Sequence, residues 1–179
     1  LHTFSGQEGM FTITKRAEDH IELLSQLRMP LIYGIEHTLH GTTMDFADEW
    51  NHIGFAFESG SHGTKESREN AVAGLMVLLV SSGYLNASTI PEYSRYYDFL
   101  MKKVADLPKH VKFIYKHIIE DGDAFKMRPG FSNFDRVEVG DWLANDVSGK
   151  IKAQARGYLL MPLYQEQGND GFFIVEDAD

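Results

Sequence analysis

An α/β layer followed by a small all-β domain is the fold class the sequence predicts, and three observations carry it. Amphipathic helical stretches alternate with short apolar runs of strand length over residues 1–88. One polar, aromatic stretch between Pro91 and Pro108 reads as a single connecting helix. Beyond it Gly122, Gly130, Gly140, Gly149, Gly157, Gly168 and Gly171 punctuate short apolar segments at intervals that suit hairpins. The expected division is residues 1–88 for the α/β part, 89–107 for the connector and 108–179 for the β domain.

Each element has a local cause. In residues 16–28, Ala17, Ile21 and Leu24, with Leu23 and Leu27 beside them, share one helical face, and Pro30 stops the pattern after Arg28. Leu31-Ile32-Tyr33-Gly34-Ile35 and His52-Ile53-Gly54-Phe55-Ala56-Phe57-Glu58 are apolar runs rich in residues that suit a pleated surface, and both predict buried strands. After Ser59-Gly60-Ser61-His62-Gly63 comes a helical stretch over 64–82, with Glu66 and Glu69 complementing its positive end and Gly83 past its last turn. Strand, glycine loop and long helix in that order predict a parallel α/β layer, in which functional loops gather at the carboxyl ends of strands. Residues 90–107 follow as one helix and 111–119 as a strand.

Composition narrows the function. The chain has 179 residues, 43% hydrophobic and 24% charged, enough to bury a core. Lys plus Arg number 17 against 26 Asp plus Glu, a formal charge of −9, which argues against a nucleic acid or an anionic membrane as main partner. The absence of cysteine removes disulfides, thiolate nucleophiles and Cys-ligated zinc, and points to a reducing cytoplasm. Eight His leave metal chemistry through nitrogen and oxygen open. The longest apolar run, residues 71–80, is well short of the roughly 18–20 needed to span a bilayer, so no membrane crossing is expected. The chain opens on Leu1-His2-Thr3 without an initiator Met, so a piece of a longer protein is expected.

The segment richest in chemistry is Glu58-Ser59-Gly60-Ser61-His62-Gly63. A carboxylate at the end of a buried strand, beside glycines that permit close backbone approach, is placed to face a ligand, and burial can tune it for proton transfer. A carboxylate that merely caps the next helix or pairs with a lysine would give the same spacing. His37, His40, His52 and His62 fit neither zincin pattern and read as loop or strand-end histidines rather than metal ligands. His117 and Glu120 point to opposite faces of a strand and cannot share one ion. No Walker loop, dinucleotide fingerprint or nucleophile elbow is present in the sequence. Phe11, Tyr33, Phe55 and Phe57 read as core packing. Lys150 reads as a solvated turn residue rather than the modified lysine of a carrier domain.

Beside this reading stands a resemblance. Leu1-His2-Thr3-Phe4-Ser5 resembles the Asp-Leu-His-Ser/Thr stretch of the succinylglutamate desuccinylase/aspartoacylase family, whose catalytic domain is similar to zinc carboxypeptidases. Phe57-Glu58-Ser59-Gly60-Ser61-His62-Gly63 is similar to the strand end that carries that family's catalytic glutamate. Three later stretches, Phe125-Lys126-Met127-Arg128-Pro129-Gly130-Phe131, Val139-Gly140-Asp141-Trp142-Leu143-Ala144 and Leu160-Met161-Pro162-Leu163-Tyr164-Gln165, resemble its following β domain. The resemblance implies a partial zinc-carboxypeptidase-like layer, with His2 as a zinc ligand and Glu58 as the general base. Ser5, His62 and Tyr164 are the implied substrate-pocket candidates. It implies a zinc-dependent amidohydrolase or deacylase acting on a small N-acyl amino acid or related compound.

Two departures follow from the same comparison. The family's remaining zinc ligands come from a His-Gly-x-Glu element upstream, which this sequence does not contain, so the first part of the catalytic domain is expected to be absent. Aspartoacylases place an Arg shortly before the glutamate, whereas residues 41–57 hold Asp45, Asp48 and Glu49 and no Lys or Arg, which implies a less acidic substrate. The alternative is a metal-free, catalytically incomplete fragment serving as a binding or self-associating module. In either case exposed sheet edges predict homo-oligomers.

Overall fold

The computed structural model describes residues 1–38 and 41–178. In chain order the elements are β1 (His2–Phe4), β2 (Phe11–Thr14), α1 (Ala17–Gln26), β3 (Leu31–Tyr33), α2 (Thr43–Glu49), β4 (Phe55–Ser61), α3 (Lys65–Ser81) and α4 (Tyr93–Val104). They continue with β5 (His110–Ile118), β6 (Lys126–Met127), β7 (Arg136–Val137), β8 (Trp142–Asp146), β9 (Gly149–Lys152), β10 (Gly157–Leu160) and β11 (Asp170–Asp177). The helices over 64–82 and 90–107 and the strand over 111–119 thus form within a few residues of their expected bounds.

Eight strands make one sheet in the order β1-β4-β2-β3-β5-β11-β10-β7, and β6-β8-β9 make a second. The sheet is mixed, which corrects the parallel layer expected from sequence. β1 with β4, β2 with β3 and β3 with β5 are parallel, but β2 runs antiparallel to β4. Only residues 5–10 join β1 to β2, far too few for the crossover of a dozen or more that a parallel return requires. β2 therefore comes back down the far side of β4.

The β4 strand is also displaced from the predicted 52–58. His52 is held to the end of α2 by its backbone N–H, which donates to Ala47 O at 2.8 Å. Gly60 and Ser61, expected in a loop, join the strand because β1 pairs with them up to Phe4↔Ser61. The helix α2, not expected from periodicity, starts at a reciprocal cap in which Thr42 accepts from Asp45 N while Asp45 accepts from Thr42 N.

Strand alternation sorts the core into layers. Phe57 and Leu31 face α1, α3 and α4, packing with Leu24, Ala73, Val77, Leu100 and Val104. Phe11, Ile13, Ile32 and Val111 face the other way, with Phe4, Phe134, Phe173 and Val175. In β11 the two sets alternate: Phe173 and Val175 join that second layer, while Phe172 and Ile174 pack with Met127, Leu143 and Leu159 beneath the small sheet. Burial on both faces explains the unbroken apolar run there. Lys126, Lys150 and Lys152 occupy the edge strands of the small sheet, where lysine discourages further pairing. Lys150 lies in β9, not in the turn expected, with its ammonium 4.2 Å from the Trp142 ring centroid.

Two outcomes are expected. A Cβ at Gly74 of α3 would overlap the Phe57 ring, so Gly74→Ala should lower stability by about 1–3 kcal/mol, seen as a lower urea midpoint, despite alanine's better helix propensity. The His117 ring lies between Phe125 and Phe172, with centroids 5.4 and 5.2 Å away, and its Nε2 is buried with no hydrogen-bond partner among the described residues. Burial lowers its pKa against the opposing charges of Asp146 and Asp123. The unfolded chain therefore takes up this proton first as pH falls below about 6.5, and stability declines through that window. H117F should shrink the difference between urea midpoints measured on either side of it.

Candidate functional site

The parallel register of β1 and β4 sets His2 directly beside Glu58. On the other flank Glu58 lies opposite Phe11 of β2, and it shares the face of Ala56, turned away from the helices. Side chains on adjacent strands at one register level meet, and here His2 Nδ1 is 3.1 Å from Glu58 Oε1 and 3.2 Å from Oε2. Glu58 is the buried partner, its side chain 8% exposed, whereas the His2 side chain is 69% exposed. Burial raises the Glu58 pKa above its ordinary value, and the charge and hydrogen bond of His2, then the charge of His62, oppose it without cancelling it. An Nδ1–H donated to the carboxylate leaves Nε2 as the basic nitrogen of the ring.

Glu58 is the middle residue of β4, not its end as expected from sequence, and the half of the strand that follows it is tied on three sides. Ser59 Oγ donates to His2 O at 3.0 Å and Ser61 Oγ to Gly6 O at 2.7 Å, fastening β4 to β1 and to the connection that crosses its carboxyl end. The His62 N–H donates to Phe4 O at 2.9 Å, and its Nδ1 is 2.7 Å from Thr3 Oγ1. From α3, Asn70 Nδ2 donates to Ser59 O at 2.8 Å. Gly60, at φ +127°, lets the strand approach this helix closely, since a Cβ there would stand 3.3 Å from that of Ser67. Thr64 caps α3 by accepting from Ser67 N.

The sequence candidates are distributed unevenly around this pair. His2 and Glu58 are in contact, and His62 follows the last residue of β4, held to Thr3 of β1. Ser5 is half-buried in the bend after β1. The Tyr164 hydroxyl is occupied by the 128–131 turn, accepting from Phe131 N and lying 3.0 Å from both Arg128 O and Phe131 O. His52 sits before the start of β4, away from the His2–Glu58 contact. His40 lies outside the described residues. A cavity of about 180 Å³ opens beside the site, between Gln7 and Glu8 on one wall and Ser67, Asn70 and Lys103 on the other; neither His2 nor Glu58 lines it.

Asp45 and Asp48 are engaged elsewhere, Asp45 with Lys15 and Asp48 with Arg16 Nε at 2.9 Å. Among the described residues no group of three or more His, Asp or Glu side chains could hold a metal ion. A catalytic zinc takes three protein ligands, so His2 and Glu58, in contact with each other, do not by themselves fit one. Thr3, Ser59, Ser61 and Asn70 were not found from sequence. The clustering of small hydroxyl residues beside Glu58 signals Ser59 and Ser61, whereas Thr3 and Asn70 carry no such signal.

No family model matches the sequence, and no curated protein matches it. Solved structures do match the fold. The product-bound ectoine utilization protein EutE (DoeB) from Ruegeria pomeroyi is 15% identical at a TM-score of 0.62, covering 98% of this chain and 56% of that one. A succinylglutamate desuccinylase/aspartoacylase from Rhodobacter sphaeroides is 10% identical at 0.68, over 98% and 55%. Succinylglutamate desuccinylase from Vibrio cholerae is 12% identical at 0.60, over 98% and 51%. The chain therefore adopts the α/β fold of the succinylglutamate desuccinylase/aspartoacylase structures, the fold its sequence resemblance implied. It spans about half the length of the structures it matches.

With two donors at hand, the 179-residue chain is expected to retain substoichiometric zinc after equilibrium dialysis, measured by elemental analysis. Stoichiometric zinc would mean that residues outside those described complete a site.

Proposed function

We propose that this chain is the glutamate-bearing part of a zinc-dependent amidohydrolase, a deacylase that cleaves the amide of a small N-acyl amino acid or related compound. The observation that carries the reading is the contact between buried Glu58, in the middle of β4, and exposed His2 of β1. The names of the structures with the same fold support it. Glu58, with its proton affinity raised, takes a proton from a water whose oxygen adds to the amide carbonyl. It then returns that proton to the nitrogen as the C–N bond breaks, leaving a carboxylate and an amine. His2 fixes the carboxylate and keeps one ring nitrogen for a metal. The further donors a zinc ion needs would come from outside the described residues.

The substrate we propose is less acidic than an N-acyl aspartate. The side chains whose charges oppose the rise in the Glu58 pKa are His2 and His62, neither of them Lys or Arg. Nor do residues 41–57 carry one. His62 and Ser5 remain the pocket residues of this reading, whereas Tyr164, bound to the 128–131 turn, is not retained as one, and a cytoplasmic setting is part of it. A second reading, a metal-free module that self-associates, is favoured by the open edge of β1 and by the apolar groove that Leu1 lines with Leu75 and Leu78.

The test is an assay of the chain, alone and within any longer polypeptide that contains it, against a panel of N-acyl amino acids. Turnover that Glu58→Gln lowers by 10²-fold or more, with the melting temperature unchanged or raised, is the expected result. Retained turnover removes Glu58 from the general-base role, and preference for the aspartate derivative overturns the substrate assignment. A dimer by sedimentation with no turnover in any form supports the second reading instead.

A further inference from the structure

We propose that Asn133 is a positioning residue: from the far end of the sequence it holds the connection over residues 5–10, and through it the His2–Glu58 pair, in place. The side chain is 6% exposed and every polar atom it has is engaged. Both hydrogens of its amide go to the connection, Nδ2 donating to Glu8 O at 2.8 Å and to Gln7 O at 3.5 Å. Its own N–H donates to Gln7 O at 3.2 Å. Its Oδ1 accepts from Met161 N at 2.6 Å, at the end of β10. One buried amide thus ties the segment that follows β1 to the segment that follows β10. A buried amide satisfied on both sides is stiff, because moving either segment strands a desolvated carbonyl or N–H.

The neighbours reinforce the grip. Gly9, at φ +84°, lets the connection pass so close that a Cβ there would stand 2.9 Å from that of Asn133. Pro162 packs against Gly6, and the Phe134 ring meets Phe11 edge-on at 5.9 Å while Phe11 stacks on Phe4 at 5.7 Å. Phe4 ends the strand that begins with His2, and Phe11 is the residue paired with Glu58. The connection therefore transmits the position of Asn133 to both flanks of the carboxylate. Its consequence for turnover rests on the deacylase reading above; its geometric part does not.

Two variants attack the contact from opposite sides, Asn133→Ala and Gly9→Ala, with Gly74→Ala as a destabilised control on the helix face. Nitrogen NMR of the His2 ring and hydrogen exchange at the residue-133 amide, which donates to Gln7 O, are read beside the melting temperature. The expected result is exchange at least tenfold faster and a shifted His2 ring signal in both variants, with neither change in the control at a matched loss of melting temperature. Where a substrate has been found, kcat should fall by more than KM rises. An unmoved His2 signal in a folded variant, or the same movement in the control, overturns the proposal. Failure of both variants to fold also overturns it, by assigning the contact to global stability. The ring and exchange measurements need no substrate, so a failed deacylase assay leaves this test standing.

Discussion

A connection limited to residues 5–10 constrains the rest of this site. It is long enough to cross the end of one strand and too short to do more, so β1 and β2 are obliged to flank β4 in opposite directions. Glu58 is thereby walled in by His2 on one side and Phe11 on the other. Its burial is a consequence of topology, and the raised proton affinity is a consequence of the burial. His2 is the counterweight: close enough to stabilise the anion, exposed enough to leave its other nitrogen available.

Charge elsewhere in the chain has little bearing on this pair. Several acids are paired at the surface, Glu69 and Glu66 of α3 with Lys65 and Lys103, and Asp45 and Asp48 of α2 with Lys15 and Arg16. Exposed pairs such as Lys65 with Glu69 contribute roughly 0–1 kcal/mol each. The electrostatics at Glu58 is instead local and built from imidazoles and burial, where a low dielectric makes each group count.

The β-rich part is physically continuous with the α/β part. β5 pairs with β3, and β11 carries side chains of two core layers at once. Ser132, Asn133 and Pro162 then pack on the connection between β1 and β2, the two strands that flank Glu58. The rigidity of the site thus derives from packing contributed by residues remote in sequence. That suits a centre whose two groups must keep one distance.

What the amino-acid sequence determined by itself is whatever repeats locally. The helices α1, α3 and α4 and the strand β5 are legible because apolar spacing, caps and flanking prolines act within a few residues. Glu58 is legible as a carboxylate on a buried strand, although it lies mid-strand rather than at the end expected, and His2 through the family resemblance. Tertiary structure alone decided the mixed sheet, the three- and four-residue strands β1 and β2, and the contact of His2 with Glu58, because strands that short exist only where a partner completes their hydrogen bonds. Asn133 belongs to that second group. An isolated amide in a loop carries no periodic signal, and its partner Glu8 is 125 residues away.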